Sequence, residues 1–88
     1  MRVTEARKLL HLGQLVRAES LCCVILDNEP DNGDALYTLA VAQRLLKRFG
    51  DAIATNRMLI AHDPANGRAH QEMGHCLRDM GDGDGAFS

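Results

Sequence analysis

The sequence of 88 residues predicts an all-α protein in which antiparallel helix–turn–helix units follow one another in tandem. The hinge "EPDNG" at 29–33 returns as "DPANG" at 63–67, which places Pro30 and Pro64 34 positions apart. Between the hinges, apolar residues recur at the spacing of helices and do not alternate as they would in strands. A fixed period that holds two helices is typical of a helical repeat array.

The first helix of the complete unit is predicted over 33–47. Asn32 precedes it as an N-cap, and Asp34 places a carboxylate in the first turn, where the helix dipole favours a negative charge. The apolar stripe of this helix consists of Leu36, Leu39, Ala40, Leu45 and Leu46.

The second helix of the unit is predicted over 50–62. The letters "RFGD" interrupt the apolar pattern before it, and Gly50 is expected to be the pivot of that turn because glycine tolerates unusual backbone angles. The helix should end at Asp63, since the residue before a proline is pushed out of the α region. Its apolar stripe consists of Ala52, Ile53, Leu59 and Ile60.

The flanking segments repeat this unit incompletely. Before it, helices are predicted over 3–12 and 15–28, with Gly13 in the turn between them. After it, a helix is predicted over 67–80, followed by a turn at Gly81 and by last residues that fray. The chain is therefore expected to form one domain, 1–88, with about two and a half repeats at 1–32, 33–66 and 67–88.

Small residues recur where neighbouring helices must approach closely. They are Ala40 and Gly74 in the first helices, and Ala18, Ala52 and Ala86 in the second helices. Together with the turn glycines, Gly13 and Gly81, and the repeated hinge proline, these residues resemble the pattern of the tetratricopeptide repeat family over essentially the whole chain. Lys47 departs from the pattern, because it stands where the family has a turn glycine.

The resemblance implies an α-solenoid, a right-handed superhelix of stacked helix pairs that serves as a non-catalytic protein–protein interaction or scaffolding module. Ligands of the family are extended peptides that lie in the concave groove formed by the first helices. Arginine favours carboxylate partners through its planar fork, so the peptide expected here is acidic. Carried over by register, the groove residues are Arg7, Tyr37, Val41, Arg44, Arg68, Gln71, His75 and Arg78.

Two alternatives remain open at this point. The stretch "AHQEMGHCLRDMGD" also resembles the repeats that precede the catalytic domain of some bacterial sulfotransferase-like proteins, which would make the chain a non-catalytic N-terminal arm of a larger enzyme. Repeat arrays usually need about three repeats and a polar cap. On that ground the chain is expected to belong to a longer array or to form a homo-oligomer through its uncapped C-terminal repeat.

No catalytic, cofactor-binding or metal-binding residue is predicted. Asp79, Asp82 and Asp84 stand close together among glycines, but they lack the spacing and the final glutamate of a calcium loop, so a turn is expected there. His75 and Cys76 are neighbours on a helix, and neighbouring side chains on a helix diverge. A nucleophile pair is therefore not expected from them.

Composition narrows the partners and the compartment. A net charge of −2, with one Tyr, two Phe and no Trp, argues against nucleic acid as a partner. No apolar run approaches the roughly 20 residues that cross a bilayer, so a membrane is not expected either. Cys22, Cys23 and Cys76 do not form a disulfide framework, which favours the reducing cytoplasm, with Cys22 in the core.

Overall fold

Five helices in tandem make up the protein. The structure, a computed structural model, describes the backbone of residues 2–83 and the side chains of residues 3–81. The predicted all-α class is confirmed, since these residues include no strand. The helices are α1 (Arg2–His11), α2 (Leu15–Asn28), α3 (Gly33–Leu45), α4 (Phe49–His62) and α5 (Gly67–Gly83).

The helices form an open stack. Each helix packs against the next one along the chain, and α3 also packs against both α1 and α5. Within the part of the chain that the structure describes, α1 and α5 are not in packing contact, so the stack does not close into a bundle. The first helices of successive repeats therefore lie side by side, with α3 in the middle.

The contacts between helices are made at small side chains. Ala18, Ala40 and Ala52, which the sequence assigned to this role, are fully buried, and so are Ala6 and Ala69. Short side chains leave room for neighbouring helix axes to approach closely. The core is therefore narrow, and larger apolar residues fill it only beside these positions.

The repeated hinge begins each following helix with the same cap. The side-chain oxygen of Asn32 accepts a hydrogen bond from the Ala35 N–H at 3.0 Å, as the sequence predicts. Asn66, one period later, accepts from the Ala69 N–H at 3.1 Å. An N-cap of this kind stabilises a helix by about 1 kcal/mol. The recurring Asn-Gly of the hinge thus encodes the start of α3 and of α5.

The turn between α3 and α4 differs from the prediction. Gly50 is not its pivot but lies in the first turn of α4, which begins at Phe49. Lys47 itself adopts the left-handed conformation, with φ 64°, where Gly13 has φ 79° in the preceding repeat. The helix α3 ends at Leu45 and not at 47. Leu45, predicted in the apolar stripe, is 45% exposed, because it lies two and a half helical turns after the buried Leu36 and therefore on the opposite side of α3.

The end of α5 also differs from the prediction. The helix does not turn at Gly81 but continues to Gly83. Glycine costs only about 1 kcal/mol inside a helix, so it does not by itself stop one. Gly74, expected at a close helix contact, is exposed, and a Cβ placed on it would meet no atom within 4 Å. The predicted fraying and the role of Ala86 lie outside the described residues.

Replacing Lys47 by glycine is expected to raise the free energy of unfolding by about 0.5–1 kcal/mol, because glycine adopts positive φ without steric cost. The gain is limited by the greater freedom of glycine in the unfolded chain. Urea unfolding followed by circular dichroism measures the change.

Gly13→Ala is the matched control. A Cβ at Gly13 would meet no atom within 4 Å, so the substitution changes only the preference for positive φ. It should lower the free energy of unfolding by about 1 kcal/mol. A Lys47→Gly protein that unfolds more readily than the unmodified chain contradicts the assignment of the turn.

Candidate functional site

The face formed by α1, α3 and α5 carries all the predicted groove residues. The three helices are neighbours in the stack, so residues at equivalent positions follow one another across this face. Three of the predicted residues are exposed: Arg68, Gln71 and Arg78. The others are partly exposed: Arg7, Tyr37, Val41, Arg44 and His75.

One end of this face carries a shared carboxylate. Asp34 Oδ1 lies 3.3 Å from Arg7 Nη2 and 3.8 Å from Arg68 Nη1, so arginines of the first and third repeats meet at one aspartate. The Arg68 guanidinium also lies over the ring of Tyr37, with 4.1 Å between its central carbon and the ring centroid. Exposed ion pairs contribute at most about 1 kcal/mol, so these arginines can exchange their partner for another carboxylate.

Two cavities open beside this cluster, and sequence reasoning did not foresee them. They have volumes of about 450 Å³ and about 320 Å³, and they share Asn32 and Asp34. Ligand cavities in proteins begin at roughly 300 Å³, so each can accept a side chain of a bound peptide. Their linings correspond at the period of 34 residues, through the pairs Val3 and Tyr37, Ile25 and Leu59, Glu29 and Asp63, and Asn32 and Asn66.

Arg44 has a different environment from the other arginines. Its Nε donates to Glu72 Oε2 at 2.5 Å, and its Nη1 donates to Asp79 Oδ2 at 2.9 Å. Its side chain is 18% exposed, and that of Glu72 is 3% exposed. Burial acts to lower the pKa of the Arg44 guanidinium, but the two carboxylates more than offset this and raise it. The charge of Arg44 is thus matched within the chain.

Arg44 and Arg78, both predicted groove residues, stand one period of 34 positions apart, but the structure gives them different surroundings. Arg78 is 67% exposed, and its Nη2 lies 3.2 Å from His75 Nδ1. The carboxylates that hold Arg44 lie 28 and 35 positions further along the chain. A spacing close to one period is the signal that could have revealed this contact between repeats.

The cysteines belong to the packing between helices, except for Cys23, which is exposed. Cys22 and Cys76 are fully buried, and burial raises the pKa of each thiol to about 11. The Sγ of Cys76 accepts a hydrogen bond from Asn56 Nδ2 at 3.6 Å. Its neighbour His75 contacts Arg78 instead, so these two residues do not form a nucleophile pair.

The described part of the chain offers neither a metal site nor a membrane-spanning helix. In that part, no group of three or more histidine, cysteine, aspartate or glutamate side chains is arranged to hold a metal ion. No helix in it combines the length and the apolar character that a bilayer span requires.

Comparison with known proteins supports the repeat assignment. A family model described as "Tetratricopeptide repeat" matches residues 9–70, more than two thirds of the chain. A human protein named "FK506-binding protein-like" is 38% identical over 65 residues, which cover 74% of this chain and 19% of that protein. The chain therefore spans about a fifth of that relative's length. No solved structure matches the chain significantly.

The chain belongs to the tetratricopeptide repeat family. Repeats of this family generally mediate protein–protein interactions and are typically non-catalytic. The partners to be considered for the face of α1, α3 and α5 are therefore proteins.

The buried thiols predict a loss of stability at high pH. The thiol pKa of Cys22 and Cys76 rises from 9.0 to about 11 on folding, so the unfolded chain loses these protons first. Their contribution to the free energy of unfolding is fully present below pH 9 and is lost as the pH rises towards 11. Urea midpoints measured across this interval record the fall.

The double variant Cys22→Ala, Cys76→Ala is the control for this pH dependence. Both proteins contain the same lysines and the same tyrosine, so the difference between their pH profiles isolates the thiols. The variant should show a smaller fall between pH 9 and 11. Equal falls in the two proteins would show that these thiols are not protected by the fold.

Proposed function

We propose that the face of α1, α3 and α5 binds an extended segment of a protein partner and that acidic side chains of this segment contact its exposed arginines. The observation that carries the proposal is the pair of corresponding cavities, one at each repeat junction along this face. Equivalent cavities repeated along a surface suit a ligand that is itself repetitive in geometry, as an extended chain is.

Charge supports an acidic ligand at the rim of this face. Among the side chains of residues 3–81, the four arginines of the face contact three carboxylates, although the whole chain has a net charge of −2. The two arginines on α5, Arg68 and Arg78, are 52% and 67% exposed, and each lies 3.8 Å from a carboxylate oxygen, so both can contact a ligand as well. Arginine binds carboxylates through two parallel N–H donors, which adds geometric selectivity to the attraction.

The interior of the cavities selects a different kind of side chain. Ile25 in one cavity and Leu59 in the other are apolar, whereas Glu29 and Asp63 add one carboxylate to each. This combination suits a side chain with an apolar stem and a hydrogen-bond donor at its tip. We therefore place the acidic residues of the partner at the rim arginines and its apolar or donor residues in the cavities.

Peptides of defined charge test this proposal. Fluorescein-labelled ten-residue peptides that alternate leucine with glutamate, serine or lysine serve as probes, and fluorescence anisotropy measures their dissociation constants. The glutamate peptide should bind most tightly. Arg68→Ala and Arg78→Ala should each weaken it about tenfold, because a hydrogen bond to a charged group is worth about 1.5–3 kcal/mol.

Arg57→Ala is the matched control for the peptide experiment. Arg57 is an exposed arginine on α4, which does not form part of the face, so its loss removes the same charge elsewhere. Two results would rule out the proposed rim contacts. One is an affinity for the glutamate peptide that is unchanged in both Arg68→Ala and Arg78→Ala, and the other is an affinity that falls equally in Arg57→Ala.

The outer face of α5 supports a second candidate function, self-association. Leu77 is 51% exposed, whereas Gln43, its counterpart one period earlier, is buried and accepts a hydrogen bond from Thr55 of α4 at 2.7 Å. On α3 this side is covered by α4. The equivalent side of α5 exposes the apolar side chain of Leu77. A second copy of the chain can cover it.

The remaining alternative, an arm of a sulfotransferase-like enzyme, is tested by the coding sequence after Ser88.

Sedimentation velocity tests the self-association. Leu77→Lys should shift the protein towards monomer, because a charge in an apolar contact between copies is costly to bury. Leu12→Lys is the control, since Leu12 is 66% exposed in the turn between α1 and α2. A protein whose sedimentation is independent of concentration, or equally altered by both substitutions, does not associate through α5.

A further inference from the structure

The two junctions between neighbouring first helices are built from different chemistry. At the junction of α3 with α5, Arg44 donates hydrogen bonds to Glu72 and Asp79. The counterparts of these three residues, 34 positions earlier, are neutral. They are Leu10, Thr38 and Leu45. The asparagine N-cap repeats from α3 to α5, but this cluster has no counterpart at the junction of α1 with α3, so it is a feature of one junction and not of the repeat.

The cluster connects α5 to the rest of the stack. In the described residues α5 packs against α3 and α4, and both hydrogen bonds of Arg44 cross from α3 to α5. Glu72 is almost completely buried and Arg44 mostly buried, unlike the exposed contact between Arg68 and Asp34. Water therefore screens the Arg44 contacts far less than it screens those at the surface.

We propose that Arg44, Glu72 and Asp79 form an ionic latch that fixes α5 against α3, and that Arg44 is a positioning residue for the groove residues of α5 and not a contact for the partner. The latch stands on the geometry of the junction alone. The consequence for the groove residues rests on the function proposed above.

The energetics of buried charges make the latch sensitive to the loss of one member. Without the guanidinium, Glu72 would remain buried without a compensating charge, and such a group is strongly destabilising. Separation of α5 from α3 would restore water to the carboxylate. Removing all three charged groups together leaves no charge to hydrate, and a buried ion pair can often be replaced by neutral residues without loss of stability.

Cys76 provides a reporter on the inner side of α5. It is fully buried, 3.6 Å from Asn56 of α4 and 3.9 Å from Glu72. Cys22 is equally buried in the first repeat, and its thiol pKa is raised to the same value of about 11. Arg44 acts to lower the pKa of the Cys76 thiol, so the loss of its charge alone would slow modification of Cys76. A rise in the modification rate of Cys76 relative to that of Cys22 in an Arg44 variant therefore reports local separation of α5.

The experiment measures modification of both thiols by a disulfide reagent, with each site quantified by peptide mass spectrometry. Cys23→Ser is used as the background, because Cys23 is exposed. Arg44→Leu should raise the modification rate of Cys76 relative to that of Cys22 by about tenfold or more. Arg57→Leu is the control, since it removes an arginine from an exposed site on α4, and it should leave the ratio unchanged.

A rescue variant separates a latch from a general packing defect. Arg44→Leu combined with Glu72→Thr and Asp79→Leu transfers the residues of the first junction to the second. It should return the rate ratio to within about threefold of the unmodified protein, because no orphaned charge remains. Three results would contradict the latch. They are an unchanged rate ratio in Arg44→Leu, an equal rise of the modification rate at both cysteines, and a rate ratio in the triple variant as high as that in Arg44→Leu.

Binding of the leucine–glutamate peptide tests the positioning role. The triple variant should bind this peptide as tightly as the unmodified protein, because α5 is held in place although the guanidinium is gone. If affinity is lost while Cys76 stays protected, Arg44 contacts the ligand and the positioning role is wrong. If the unmodified protein does not bind the peptide at all, the proposed function fails, and the thiol rates still decide whether the latch exists.

Discussion

The helices of this chain approach one another closely because the positions between them carry alanine, and the rest of the structure depends on that spacing. A single helix pair cannot bury its own apolar surface, so each pair must pack against the next one. In a chain of 88 residues the buried fraction is small, and there is little stability to spare. Ala40 and Ala52 are both fully buried. A larger side chain at either position would push the neighbouring helices apart and lengthen the contacts between them.

The same spacing places the candidate binding surface. Because α1, α3 and α5 lie side by side, Asp34 of the middle repeat can contact arginines from the repeats on both sides. The hinges then open a cavity at each junction, with the capping asparagine in its wall. In the proposed function, the helices that form this surface are already packed together, so the ordering cost of binding would fall mainly on the ligand.

How far the sequence predicted this protein can be seen at particular residues. The 34-residue period predicted the helix pairs, and the capping role of Asn32 was confirmed, because both depend on local chemistry that recurs. The turn at Lys47 was assigned wrongly to Gly50, since composition does not reveal which residue takes a positive φ. The partners of Arg44 were missed for another reason: they depend on the distance between α3 and α5, which side-chain volumes across the whole junction determine.

Within the described residues α1 and α5 are not in packing contact, which has a consequence for how the molecule can change over evolutionary time. Energetic coupling between the α1 end and the α5 end must therefore pass through α3. Substitutions confined to the two terminal helices should therefore act independently of each other, as energetic effects at distant sites generally do. Either end can then accumulate substitutions, or gain a further repeat, while the opposite end keeps its ligand affinity and its stability.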